Sequence, residues 1–263
     1  MPALTIPDYD EALSRSGQRR PAPPARVRLA VIVPSVNTVV EPWFGRVLPD
    51  SAALHATRML LADDVTSESL KRMDREEGLA AARRIASCRP HAVAYCCTAS
   101  SIVQGPTYDK KLQMDLERIT GCPSFTAVGA ITEALHQLGV WRLSIASPYT
   151  EAIDQAEQRF FAELGFRVDG AAHLGIGDGF SLACPTPEEI YALGRRAWRP
   201  SSDALLISCL NMNSQNVVSL LEQQLGRPVI TSTTATLWKL MRASGLDGSV
   251  EGYGALLACG AAR

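Results

Sequence analysis

Short apolar runs alternate with longer amphipathic segments along this chain of 263 residues. Runs such as RLAVIVPS and DALLISCLN are almost continuously apolar, which is typical of strands that are buried on both faces of a parallel sheet. Between such runs, segments such as ESLKRMDREEGLAAARRIASC and EAIDQAEQRFFAELG repeat their apolar residues at helical spacing. The alternation predicts an α/β fold with parallel sheets.

The apolar runs form two sets that resemble each other in the same order. RLAVIVPSVNTVVE resembles RLSIASPYTEAID, PHAVAYCCTASS resembles SDALLISCLNMNS, and GCPSFTAVGAITEALHQLG resembles GRPVITSTTATLWKLMRASG. The offset is 114 residues from Pro34 to Pro148 and 112 from Cys97 to Cys209. This agreement predicts an internal duplication. We therefore expect two pseudo-symmetric lobes, each a doubly wound α/β unit, with an active site in the cleft between them.

The same pattern divides the chain into four parts. The Pro- and Arg-rich stretch 1–26 lacks apolar periodicity, so we expect a flexible arm whose deletion leaves folding and turnover nearly unchanged. We expect the first lobe over 27–139 and the second over 140–240. A C-terminal tail over 241–263 is expected to pack on the first lobe.

Composition and charge exclude several classes of function. The 26 Lys and Arg residues nearly balance the 27 Asp and Glu residues, so no overall field favours nucleic acid or a membrane surface. No apolar run approaches the ~18 residues of a membrane-spanning helix. The seven cysteines and four histidines are scattered, which argues against a disulfide framework and a metal site. We therefore expect a reduced, cytoplasmic protein without a metal.

Two cysteines follow corresponding predicted strands, Cys97 in the first lobe and Cys209 in the second. Ligands of open α/β sheets bind at the carboxyl ends of the strands, so the symmetry aims both thiols at one cleft. Each lies at a predicted strand-to-helix turn, where a helix N-terminus is expected to lower the thiol pKa. Strand alternation places Cys96 on the opposite side, where we expect it to pack in the core. The remaining cysteines are interpreted as structural: Cys88, Cys122, Cys184 and Cys259.

Polar residues near the same strand ends are candidates for binding a substrate. Asn37 stands in the first strand-to-helix turn, although capping of the helix would explain it equally well. Tyr149 stands in the equivalent turn of the second lobe, whereas DREEG at 74–78 is typical of a solvated helix face. Further donors near these turns are Ser35, Thr38, Thr98, Ser100, Ser101 and Asn211.

In combination, the motifs VIVPSVNTVVE, LHATRM, YCCTASS, SPY and LLISCLNMNS resemble the aspartate/glutamate racemase superfamily. The chain is most similar to the maleate cis-trans isomerase and arylmalonate decarboxylase branch, over roughly residues 27–255. This resemblance implies the two-lobed fold, a small dicarboxylate substrate and catalysis without a cofactor. Two departures are visible: the isomerases carry Asn where Gly179 stands, and the decarboxylases carry Gly at the position of Cys97.

The resemblance also implies roles for single residues. Cys97 would add to the double bond of a cis-enedioate, and Cys209 would supply and recover a proton. The implied substrate-binding residues are Asn37, Thr98, Ala99, Tyr149, Leu210 and Asn211. Three alternatives stay open at this point: a racemase that uses both cysteines as an acid/base pair, an arylmalonate-type decarboxylase, and a binding protein without catalysis. The sequence also leaves open whether the chain forms a homo-oligomer.

Overall fold

The computed structural model describes residues 27–62 and 64–258, and its strands form two four-stranded parallel sheets. The strands are β1 (Val27–Pro34), β2 (Ala52–Met59), β3 (Ala92–Tyr95), β4 (Ser124–Thr126), β5 (Arg142–Ser147), β6 (Arg167–His173), β7 (Ala204–Ile207) and β8 (Val229–Thr231). Their order is β2-β1-β3-β4 in one sheet and β6-β5-β7-β8 in the other. The identical order confirms the predicted α/β class with two pseudo-symmetric units.

Helices connect the parallel strands, as crossover connections require. They are α1 (Val40–Val47), α2 (Ser67–Met73), α3 (Leu79–Ala86), α4 (Thr98–Ile102), α5 (Pro106–Thr120), α6 (Ala127–Gln137), α7 (Glu151–Glu163), α8 (Pro187–Ala197), α9 (Val218–Leu225), α10 (Ser232–Ala243) and α11 (Ala255–Ala258). A π-helical turn over Asp74–Gly78 joins α2 to α3. Thr126 and Thr231 cap α6 and α10 in the same way, because each hydroxyl accepts the N–H three residues later.

The two faces of the sheets pack into two apolar clusters. Along β1, Leu29, Val31 and Val33 belong to one cluster, whereas Ala30 and Ile32 belong to the other. The first cluster runs through both units, because α6 and α10 pack on each other between the sheets. The two sheets therefore share one core, which fixes their carboxyl ends relative to each other.

The ends of the chain contribute to this core where they are described. The predicted arm 1–26 lies outside the described residues. Within the tail, the ring of Tyr253 contacts the edge of Trp43 at 5.0 Å between centroids, and the carbonyl of Gly252 accepts from the Ser219 hydroxyl. The described part of the tail thus contacts both units. Within 27–62 and 64–258, no helix is long and apolar enough to cross a membrane.

Candidate active site

A cavity of about 40 Å³ lies at the carboxyl ends of β1, β3, β5 and β7, between the two units. All eight site residues proposed from the sequence line it: Asn37, Cys97, Thr98, Ala99, Tyr149, Cys209, Leu210 and Asn211. The other lining residues are Pro34, Val36, Leu61, Val65, Leu70, Cys96 and Leu182. None of these lining residues is Lys, Arg or His, so a bound anion would depend on neutral donors.

Cys97 lies two residues after the end of β3 and directly precedes α4. Its backbone is extended, with φ −135° and ψ 99°, and its thiol is buried. Burial, together with the charge of Asp74, raises the pKa of Cys97 to about 12, against hydrogen bonds from Ser100 that lower it. Cys96 packs with the opposite cluster, as strand alternation predicts, and burial raises its pKa as well.

Cys209 occupies the equivalent position, two residues after the end of β7, but its backbone conformation is different. Its φ of 91° lies in the left-handed region, which costs a residue with a β-carbon about 1–3 kcal/mol. The N–H of Asn211 donates to the Cys209 sulfur at 3.3 Å. Burial raises the pKa of the Cys209 thiol to about 12, against hydrogen bonds from the Tyr149 hydroxyl and the Asn211 backbone.

The expectation that helix N-termini lower both thiol pKa values is therefore wrong for this closed site. At Cys97 the helix is present, but removal of water from the thiolate outweighs the donors around it. At Cys209 the helix itself is missing, since a 3-10 turn over Ser214–Val217 and then α9 begin several residues later.

Two side chains that sequence analysis placed against the substrate are largely occupied by the protein. The Asn37 oxygen accepts the N–H groups of Val39 and Val40, each at 3.0 Å, which caps α1 and leaves its amide nitrogen for a ligand. The Asn211 oxygen accepts the N–H of Thr38 at 2.9 Å, and its amide donates to the carbonyl of Gly179 at 2.9 Å. Asn211 therefore ties the first unit to a loop of the second.

Ser232, at the start of α10, is a site residue that sequence analysis missed. Its oxygen accepts the N–H of Cys209 at 3.0 Å and the hydroxyl of Thr98 at 3.2 Å. The residue thus joins the two cysteine-bearing strand ends. The sequence contains a signal for this difference, because the aligned repeats place Ala127 opposite Ser232.

Asp74 corrects the interpretation of DREEG as a solvated helix face. Its carboxylate is buried and accepts hydrogen bonds from the hydroxyls of Tyr95 and Tyr108, the latter at 2.8 Å. The side-chain amide of Gln104 also donates to it at 2.8 Å. The missed signal was its register, because Asp74 follows Leu70 by four residues and so falls on the apolar face of the helix.

Two loops meet beside the cavity, and one of them lines it through Val65. The N–H of Val65 donates to the carbonyl of Gly177 at 2.7 Å, and Asp64 forms a β-bridge with Asp178 beside it. A water molecule needs roughly 10–15 Å³ of cavity, so this space holds about three. A four-carbon dicarboxylate is larger than three waters, so we expect the cavity to widen when one binds.

Comparisons with known proteins agree with this architecture. A family model described as arylmalonate decarboxylase matches residues 29–257. The maleate isomerase of Geobacillus stearothermophilus is 27% identical over 244 residues, which cover 88% of this chain and 96% of that protein. The arylmalonate decarboxylase of Bordetella bronchiseptica is 28% identical over 231 residues, covering 85% and 96% of the two chains.

Solved structures with the same fold include two maleate isomerases. A cysteine-to-alanine variant of the isomerase Iso from Pseudomonas putida S16, solved with maleate, has a TM-score of 0.84 at 26% identity, over 89% of this chain and 98% of that one. A cysteine-to-serine mutant of the Nocardia farcinica maleate cis-trans isomerase, which carries a covalently bound succinylcysteine intermediate, has a TM-score of 0.83 at 26% identity over 88% and 98%. Because the family model spans nearly all of the described fold, the chain belongs to the arylmalonate decarboxylase family.

Proposed function

We propose that this protein is a cofactor-independent isomerase that converts maleate, or a close cis-enedioate analogue, into the trans isomer. In this proposal Cys97 is the nucleophile and Cys209 is the proton donor and acceptor. The observation that carries it is the convergence of these two thiols, from equivalent strands, on one cavity between the units. The likeness to maleate isomerases over nearly the whole chain supports the choice of substrate.

The reaction would begin with addition of the Cys97 thiolate to one alkene carbon. The alkene electron pair moves to the neighbouring carbon and its carboxylate, and the resulting enediolate needs hydrogen-bond donors. The Asn37 amide and the first N–H groups of α4 are available at the cavity wall. Rotation about the new single bond, followed by loss of Cys97, gives the trans product.

Cys209 would exchange a proton with the enediolate from the second unit. It protonates the carbanionic carbon, which gives a succinyl adduct on Cys97, and recovers that proton before Cys97 leaves. The Tyr149 hydroxyl and the Asn211 N–H stabilise the Cys209 thiolate between these two steps. Neutral hydrogen-bond donors suit this role, because they stabilise the thiolate charge without taking up the proton that Cys209 must recover.

Proton NMR in D₂O tests the proposal with a panel of maleate, 2-substituted maleates, arylmalonates and amino acids. We expect the vinyl signal of maleate to be replaced by that of fumarate with the wild-type protein and with Cys96→Ser, and no conversion with Cys97→Ser. Deuterium exchange at the α-carbon of an amino acid would favour the racemase instead. Loss of a carboxylate from an arylmalonate would favour the decarboxylase.

A further inference from the structure

Ser232 has a hydroxyl that both cysteine-bearing segments share. The residue is fully buried and is the first residue of α10. Its oxygen accepts the main-chain N–H of Cys209 at 3.0 Å and the hydroxyl of Thr98, the residue after Cys97, at 3.2 Å. A hydroxyl oxygen has two lone pairs, so these two bonds use both acceptor positions. Thr98 in the first unit thus helps to fix the oxygen that holds the main chain of Cys209 in the second.

Capping of α10 does not explain this hydroxyl. Thr231 caps the helix, because its oxygen accepts the N–H of Thr234 and the two residues form a reciprocal capping box. In the first unit Thr126 caps α6 with the same kind of bond, and the first residue of that helix is Ala127. A helix in this place therefore begins without a serine hydroxyl, and Ser232 needs another explanation.

The backbone of Cys209 requires support from its surroundings. Its φ of 91° is unfavourable for a residue with a β-carbon, and such a conformation persists only where the surrounding structure over-determines it. Before this torsion, the N–H of Ser208 donates to the carbonyl of Ala146 at 2.8 Å, and the N–H of Cys209 donates to Ser232. After it, the side chain of Asn211 is bonded to both units. The left-handed torsion is thus fixed between two anchors, and Ser232 is the side chain in the first of them.

The first unit has neither the hydroxyl nor the unusual torsion. Cys97 has a φ of −135°, and Ala127 stands where the second unit has Ser232. The torsion φ sets the direction in which the Cα–Cβ bond leaves the chain. The left-handed backbone of Cys209 therefore decides where its sulfur lies in the cavity, and it occurs in the unit that has the serine.

We propose that Ser232 is a positioning residue, whose hydroxyl holds Cys209 in the left-handed conformation and so directs its thiol into the cavity shared with Cys97. Ser232 is not among the residues that line this cavity, so it acts through the main chain of Cys209. Its value for turnover rests on the proposed function, in which Cys209 gives and takes a proton. Its effect on the backbone is a property of the protein without substrate.

The first test is the steady-state conversion of maleate by Ser232→Ala, followed by proton NMR. A displacement of about 1 Å in a reacting group can cost about 10²-fold in rate, so we expect kcat to fall by about 10²-fold. We expect KM to stay nearly unchanged. The donors proposed for the carboxylates are the Asn37 amide and main-chain N–H groups of α4, and Ser232→Ala removes none of them.

Ser144→Ala is the matched control. The buried Ser144 oxygen accepts the main-chain N–H of Arg199 at 2.9 Å and pairs with the hydroxyl of Ser202 at 2.9 Å, so it has the same two kinds of partner as Ser232. Ser144 lies within β5, before the strand end that reaches the cavity. Its replacement should destabilise the protein in urea titrations about as much as Ser232→Ala does, while kcat stays close to the wild-type value.

A double-mutant cycle tests the backbone effect without a substrate. It compares Cys209→Gly with Cys209→Ala, first with Ser232 intact and then together with Ser232→Ala. With Ser232 intact, glycine relieves the positive φ, so the equilibrium constant for unfolding in urea titrations should be about fivefold larger for Cys209→Ala. In the Ser232→Ala background the chain can relax, and the two variants should become equally stable.

Two results would overturn the inference. One is a kcat for Ser232→Ala as high as that for Ser144→Ala in a protein that converts maleate. The other is a ratio between Cys209→Ala and Cys209→Gly that is the same in both backgrounds, because Ser232 would then not hold the backbone. If the ratio changes as expected but the wild type does not convert maleate, the positioning of Cys209 is supported and the proposed function fails.

Discussion

The two cysteines occupy equivalent positions in the duplicated fold but have different surroundings. Cys97 directly precedes a helix and has an ordinary extended backbone, and the charge of the buried Asp74 contributes to its raised pKa. Cys209 has a left-handed backbone, and its thiol receives hydrogen bonds from the Tyr149 hydroxyl and the Asn211 N–H. Duplication therefore preserved the place of each thiol, while the residues around them diverged. In the proposed function, the neutral donors around Cys209 suit a group that gives and takes a proton.

The largest expected effect is the loss of turnover when either cysteine is replaced, and the two variants should differ in whether a substrate adduct accumulates. Cys97→Ser and Cys209→Ser should each lower kcat by several orders of magnitude, because a hydroxyl is a far weaker nucleophile and acid than a thiol at neutral pH. Only Cys209→Ser should retain substrate on the protein, as added mass on the Cys97 peptide after incubation with maleate. An adduct on Cys209 in Cys97→Ser would reverse the two roles.

A second difference concerns the carboxyl group behind Cys209. Burial raises the pKa of Glu157 from 4.5 to about 8, because its side chain is fully enclosed in the second unit. The folded protein thus holds a proton that the unfolded chain releases above about pH 4.5. The resulting stability is present in full below that pH and is lost as the pH rises towards 8.

Glu157→Gln should remove this pH dependence. At about 1.4 kcal/mol per pKa unit, the wild type should lose on the order of 3 kcal/mol of unfolding free energy between pH 5 and pH 8. The variant should lose far less in urea titrations at the two pH values. Glu163→Gln, at an exposed position of the same helix, is the control and should behave like the wild type. Equal losses in all three proteins would show that Glu157 is ionised in the folded state.

The adjacent cysteines offer a smaller contrast, between a core position and a cavity position. Cys96→Ser buries a hydroxyl among apolar side chains and should lower the unfolding free energy by about 1–2 kcal/mol, with turnover largely kept. Cys97→Ser should instead abolish turnover and change the free energy of unfolding less. If Cys96→Ser abolishes turnover while Cys97→Ser preserves it, the assignment of the nucleophile is wrong.

The smallest effect tests the backbone difference between the units. Glycine is usually less stabilising than alanine, but at Cys209 it relieves a positive φ. Cys209→Gly should therefore be about 1 kcal/mol more stable than Cys209→Ala in urea titrations. At Cys97, where φ is −135°, the order should reverse. The same order at both sites would mean that the conformation of Cys209 is not strained.

Sequence patterns predicted the parallel α/β fold and the three repeated strands of each half, because buried parallel strands carry strong apolar signals of their own. They also brought Cys97 and Cys209 to one cavity, since the end of a parallel strand is a fixed place in such a fold. The thiol pKa values could not be predicted in this way. They depend on how completely two loops exclude water, and loop closure has no periodic signal.

The positions that sequence analysis missed depend on contacts between distant segments. Ser232 lies 134 residues from Thr98, and Asp74 lies 34 from Tyr108, so neither partner can be identified from local spacing. Asp74 was misassigned because a run of charges normally marks a solvated face, and its register against Leu70 was given too little weight. Asn37 was left open between capping and binding, and the structure places its oxygen on the helix N–H groups.

The shared core between α6 and α10 also decides how the protein can move. A hinge between the units would expose apolar side chains such as Ile131 and Trp238, both of which are fully buried. We therefore expect substrate access to depend on the loops that meet at Val65 and Gly177. In hydrogen–deuterium exchange, amides of β1 and β5 should open only with global unfolding, whereas the Val65 amide should exchange far faster. Substrate access then has the kinetics of loop motion rather than those of domain separation.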